Sequence, residues 1–170
     1  YTLHTLFPYT TLFRSASEIS AITSGSDSLF LASPDGHVRI LSRGFRVQKT
    51  WRAHDVGAIT HMRQVEGTAL LVTIAEDLPR EPVLKVWALD KLVKKTGLPT
   101  CTSSLSIQNG RKPFPISAFA ALGDLSQLAV GFANGAVTVV RGDLIHDRGT
   151  RQKTVFESEE PVTGDRKSVV

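Results

Sequence analysis

The chain has 170 residues, 41% of them hydrophobic and 21% charged, a composition that suits a soluble globular protein with apolar material for one core and little beyond one domain. Its formal charge of +4 is scattered among acids, with Lys94 and Lys95 the longest lysine run, so no basic stripe suited to counterion release marks a nucleic-acid partner. Cys101 is the sole cysteine, which excludes an internal disulfide, and the longest apolar runs, such as Ala69 to Ala75, fall far short of the ~20 residues of a spanning helix; membrane contact is expected only indirectly.

Taken from the N-terminus, Tyr1 to Ser15 has neither strand alternation nor a helical apolar stripe, and its basic residue follows the apolar stretch, the reverse of a secretory signal. It resembles a translated sequencing-library adapter, as does the closing Asp165 to Val170. Both are expected to be non-native or disordered tails, residues 1–15 and 165–170, around a fragment spanning 16–164. Arg14, Asp165, Arg166 and Lys167 together carry +2, so half of the formal charge sits in those tails.

Between the tails the chain repeats itself at about the 40- to 50-residue period of propeller blades. Ile19-Ser20-Ala21-Ile22, Ala58-Ile59-Thr60-His61-Met62 and Ile116-Ser117-Ala118-Phe119 each open a unit. In the first, Leu29 to Ala32 reads as a strand, Pro34-Asp35-Gly36 as a tight turn whose Asp-Gly pair supplies the positive φ of a two-residue hairpin, and Val38 to Leu41 as the returning strand. The second has strands at Leu70 to Ile74 and Leu84 to Leu89; the connection Glu76 to Pro82 carries Pro79 and Pro82, which cannot donate ladder bonds, and is expected to protrude as a loop. The third repeats the first: Leu128 to Phe132, a turn at Asn134-Gly135, then Val137 to Val140. More polar outer strands are expected at Val47 to Trp51, Thr100 to Ile107 and Thr154 to Phe156, with Pro161 to Gly164 starting a fourth unit.

The second and third strands of each unit are nearly continuous apolar runs, as needed where both faces of a sheet are covered. The expected fold is therefore all-β: a partial WD40-like propeller of about three four-stranded antiparallel blades (19–52, 58–108 and 116–157) whose ring does not close. A β-sandwich, which also uses short strands and regular turns, is the competing architecture.

Leu84-Lys85-Val86-Trp87 resembles the third strand of WD-type repeats, and Ala53-His54 resembles the Gly-His pair that precedes their first strand, with alanine in place of glycine. More specific are Glu81 to Lys91, Gly131 to Thr138, Arg141-Gly142-Asp143-Leu144-Ile145-His146-Asp147-Arg148 and Glu160 to Gly164. In this order and spacing they resemble the N-terminal propeller of the vacuolar protein sorting-associated protein 11 family, over roughly residues 16 to 164. The resemblance implies a protein-interaction scaffold in a core subunit of the HOPS and CORVET tethering complexes. Such a subunit would be cytoplasmic, held peripherally on endosomal and vacuolar or lysosomal membranes, with other complex subunits as partners. The RING-type zinc domain of that family needs several cysteines, so neither zinc nor ligase activity carries over to this chain.

No catalytic, cofactor or metal site is expected, and no small-molecule substrate. His54-Asp55 invites a proton-transfer reading, but no G-x-S-x-G nucleophile accompanies it, and a strand-bridging structural histidine is the plainer assignment. Cys101 has no neighbouring histidine to activate it, and Trp51 and Trp87 suit packing between blades better than ligand stacking. The candidate partner-binding residues lie in two loops: Glu76, Asp77 and Arg80 in one, and Asp143, His146, Asp147 and Arg148 in the other, within a mixed-charge stretch from Gly142 to Lys153. The alternatives are an unrelated WD-repeat adaptor and, further off, a propeller hydrolase.

Overall fold

The computed structural model describes residues 18–108 and 114–163; both expected tails and the 109–113 stretch lie outside the described residues. Twelve strands form three separate four-stranded antiparallel sheets, each a simple meander. The first holds β1 (Ala21–Ser24), β2 (Ser28–Ala32), β3 (His37–Ser42) and β4 (Val47–Arg52). The second holds β5 (Ala58–Gln64), β6 (Leu70–Glu76), β7 (Val83–Leu92) and β8 (Pro99–Ser106). The third holds β9 (Ile116–Ala121), β10 (Gln127–Phe132), β11 (Val137–Asp143) and β12 (Arg148–Phe156). No helix occurs among the described residues, and the sheets form no closed ring.

The stacking follows from strand periodicity. Successive side chains on a strand point to opposite faces, so a sheet between two others needs apolar residues at every position of its inner strands. On β6, Leu71 and Ala75 join a core with Phe30, Ala32, Val38 and Trp51 of the first sheet. Their neighbours Val72 and Ile74 join a second core with Leu128, Val130, Phe132 and Val140 of the third. On β7, Leu84 and Val86 turn to the third sheet while Trp87 turns to the first. Two cores flanking one sheet are what vanes in a stack require, and a sandwich, with one core between two sheets, does not produce them.

Both short turns differ in detail from the two-residue hairpins expected. Gly36 N–H donates to Ser33 O and Gly135 N–H to Phe132 O, and of the loop residues only the two glycines have positive φ, +83° in each case. A two-residue I′ turn needs left-handed conformations at both central positions, which Asp35 and Asn134 do not adopt. These are three-residue loops, Pro34 to Gly36 and Ala133 to Gly135, closed by a glycine. That glycine has a second duty: a Cβ on Gly36 would stand 2.0 Å from His54 O, and one on Gly135 would stand 2.2 Å from Ser158 O. The Gly36 carbonyl accepts from Ala53 N and His54 N, and the Gly135 carbonyl from Ser158 N, so each turn clamps the chain as it leaves its own sheet. In the second sheet Pro82 O takes the same part, accepting from Ile107 N at 2.8 Å.

The expected mixed-charge loop from Gly142 to Lys153 is mostly strand. β11 runs through Asp143 and β12 begins at Arg148, leaving Leu144 to Asp147 as the connection. Buried Leu144 anchors this turn in the core against the second sheet, which explains why a charged stretch packs instead of protruding.

Candidate functional site

His54 sits in the connection between the first two sheets, pressed under Gly36 and 2% exposed. Its Nε2 lies 2.8 Å from Thr73 Oγ1, and Trp87 Nε1–H donates to that same oxygen at 3.1 Å. With the indole donating to it, the hydroxyl has one proton to give and one lone pair left, so it can meet either tautomer of the imidazole. Burial, and after it the charge of Lys85, pushes the His54 pKa down to about 4, so the ring is neutral near pH 7. Lys85 Nζ donates to Ala53 O at 3.0 Å and lies 5.8 Å from the centre of the Trp87 ring, while Trp51 meets Trp87 edge-on at 5.8 Å. Asp55 pairs instead with Arg52 at 3.7 Å. A neutral histidine sealed between two sheets, with its carboxylate neighbour turned to solvent, is built to hold sheets together and has no path to a substrate.

Cys101 is likewise unactivated. Its thiol donates to Ser103 O at 3.3 Å, and burial pushes its pKa up.

The two expected binding loops fall at opposite ends of the sheets. In a four-stranded meander the second-to-third connection and the exit of the outer strand share one end; the first-to-second and third-to-fourth connections share the other. Asp77 to Pro82 occupies the first end and Leu144 to Asp147 the second, so one small ligand cannot touch both.

At the second end the turn is closed on itself. Asp143 carboxylate oxygens accept from Ile145 N and His146 N and approach His146 Nδ1 at 2.8 Å, and the hydrogen bond from His146 holds the Asp143 pKa below the usual carboxylate range. Asp147 takes a left-handed φ of +53° and its carboxylate accepts from Thr150 Oγ1 at 3.2 Å. Arg148 follows at the start of β12, opposite Asp143 in the ladder.

The first end holds a groove between the second and third sheets. Thr60, Glu76, Asp77, Leu78, Arg80, Pro82, Phe114 and Pro115 line it. Glu76 is the last residue of β6 rather than a loop residue, and its carboxylate ties sheets together: Oε1 accepts from Ile116 N at 2.7 Å and Oε2 from Thr60 Oγ1. His61 Nδ1 stands 3.9 Å from the same carboxylate, and burial pushes the His61 pKa down. Glu76→Ala is therefore expected to lose about 1–3 kcal/mol of stability, because the buried Ile116 N–H would lack an acceptor; Glu76→Gln, which keeps an acceptor oxygen, should lose less in the same denaturant titration.

Around that floor, Asp77 and Arg80 pair at 3.6 Å across the loop, and Leu78 stands 81% exposed between them. Phe114, 38% exposed, adds apolar surface to the same groove. Leu78 and Phe114 were not among the residues singled out by charge. The available signal was their setting, since each apolar side chain adjoins prolines, Pro79 in one case and Pro113 and Pro115 in the other, in segments too polar or rigid to be core.

The model of the family described as PEP5/VPS11 N-terminal matches residues 7–166. Among curated proteins, the chain is 29% identical over 148 residues to the vacuolar protein sorting-associated protein 11 homolog of Dictyostelium discoideum, and 29% identical over 147 residues to that of Homo sapiens. Each match covers 86% of this chain, which spans about 15% of either relative's length. Among solved structures, the β-propeller domain of Myceliophteria thermophila Cps50 (Swd1) superposes with a TM-score of 0.66 at 14% identity, covering 96% of this chain and 50% of that one. The computationally designed Ika4 protein gives a TM-score of 0.59 at 17% identity, covering 88% of this chain and 79% of its own. At such identities the structural likenesses establish the propeller-type fold alone.

Proposed function

The chain belongs to the PEP5/VPS11 N-terminal family, and from that premise we propose that its three blades are a docking platform for partner proteins in the HOPS and CORVET complexes that tether endosomal and vacuolar or lysosomal membranes. The family match across residues 7–166 carries this reading. The platform works through binding energy; no bond is made or broken, and it meets the membrane through the other subunits. The stacked sheets supply rigidity, and the ends of the strands supply the contacts. In this reading Asp77 and Arg80 flank the principal contact around Leu78, with Glu76 holding the floor beneath them, and Asp143, His146, Asp147 and Arg148 form a separate surface at the far end. The terminal stretches 1–15 and 165–170 are non-native and take no part.

The test uses a full-length family member carrying these residues. Leu78→Asp, together with Arg80→Ala, places a charge where an apolar side chain would be buried and should reduce co-purification of the other tethering subunits about tenfold or more. Both side chains are solvent-facing, so thermal unfolding should be unchanged. Undiminished recovery of those subunits would remove this loop from the docking surface.

A further inference from the structure

We infer that the groove between Leu78 and Phe114 receives a short basic-apolar peptide segment, one in which an apolar side chain sits beside lysine or arginine. This rests on the docking reading above and specifies the chemistry of the partner. Leu78 and Phe114 are exposed apolar side chains that line the same groove. Leu78 projects almost wholly into solvent, and Phe114, Pro82 and Pro115 add apolar lining on rigid backbone to the same groove. A leucine at that exposure gains nothing from the fold; a partner that covered it would gain from its burial.

The charge of the groove selects among apolar segments. Among the described residues, Glu76 and Asp77 line it and Glu81 follows in the same loop, while Arg80, the one lysine or arginine of the described lining, is paired with Asp77 at 3.6 Å; Arg111 and Lys112, which precede Phe114 in the chain, lie outside the described residues. His61, the remaining titratable neighbour, has its pKa lowered by burial and so adds no charge near neutral pH. The described lining therefore presents net negative charge around an apolar slot. An acidic segment would be repelled, a purely apolar one would leave the carboxylates without a counter-charge, and a cation placed beside the apolar anchor satisfies both features.

Three synthetic twelve-residue peptides test this by fluorescence anisotropy on the full-length protein: leucine flanked by lysines, leucine flanked by glutamates, and serine flanked by lysines. The first should bind about tenfold tighter than either other, a difference of the size that one buried anchor or one close charge pair supplies. Leu78→Asp should abolish the advantage of leucine over serine, with Leu78→Ser as the milder substitution should the aspartate perturb the loop. Asp77→Lys should shift the charge preference toward the glutamate peptide. Equal binding of all three peptides, no binding of any, or a preference that survives both Leu78→Asp and Asp77→Lys would overturn the inference. If these fail while Leu78→Asp still loses the tethering subunits, the docking surface stands and the basic-apolar assignment alone is wrong.

Discussion

Trp87→Ala should be among the most destabilising single substitutions in this chain, with a cost of about 3–5 kcal/mol read from urea denaturation. The indole fills the space between the first two sheets, meets Trp51 edge-on, lies beneath the Lys85 ammonium and donates to Thr73. Alanine would leave a cavity there, because each sheet is a rigid hydrogen-bonded unit that cannot close over it. A loss of that size is a large fraction of the roughly 5–15 kcal/mol that holds a domain folded. The two tryptophans can be told apart. Trp87→Phe keeps most of the apolar volume but takes from the Thr73 hydroxyl one of its two partners, whereas Trp51 Nε1–H has no acceptor among the described residues, so Trp51→Phe should cost less. Equal losses in the two phenylalanine variants would contradict the role given to the indole N–H of Trp87.

Acid should loosen the same seam. In the unfolded chain His54 takes up a proton near its ordinary value of 6.5, while in the folded chain it resists doing so until about pH 4. The unfolded state therefore binds more protons throughout that interval, and stability falls as pH falls. The stabilisation from neutral His54 is complete above about pH 6.5 and is lost at about 1.4 kcal/mol per pH unit on the way to pH 4, roughly 3 kcal/mol in all. His61, lowered in the same direction by burial, adds to the slope. Denaturant midpoints measured from pH 7 to pH 4 should fall steeply in the wild-type chain. His54→Phe should start lower, because Thr73 loses one of its two partners, yet fall less over the same range. Lys85→Met removes the second cause of the depressed pKa and should also flatten the curve. Parallel curves for all three proteins would show that His54 titrates normally and is not sealed between the sheets.

The repeat was legible because strand pattern and turn chemistry are local. Continuous apolar runs at Leu70 to Ile74 and Leu128 to Phe132 announced strands covered on both faces, and Asp35-Gly36 and Asn134-Gly135 marked where the chain reverses. The stretch from Gly142 to Lys153 read as loop because its charges were visible and the contribution of Leu144 was not. Whether a charged segment pairs as strand depends on the edge it meets, here β11, and that edge is set by the rest of the sheet. The seven residues chosen for a partner were chosen by charge, and the fold sorted them into two ends, with Glu76 drawn inward to hold Ile116.

By itself, then, the order of residues determined an all-β chain of three repeated units and the position of each glycine-bearing reversal, since backbone sterics and two-residue periodicity act over a few neighbours. Only the packing of one sheet on the next decided that Thr73 would join His54 to Trp87, that Glu76 would bridge two sheets, and that Leu78 and Phe114 would line one groove. Those partners lie 14 to 40 residues apart in the chain where they are bonded, and no local rule brings them together. The free energy that does so comes from burying both faces of the middle sheet at once.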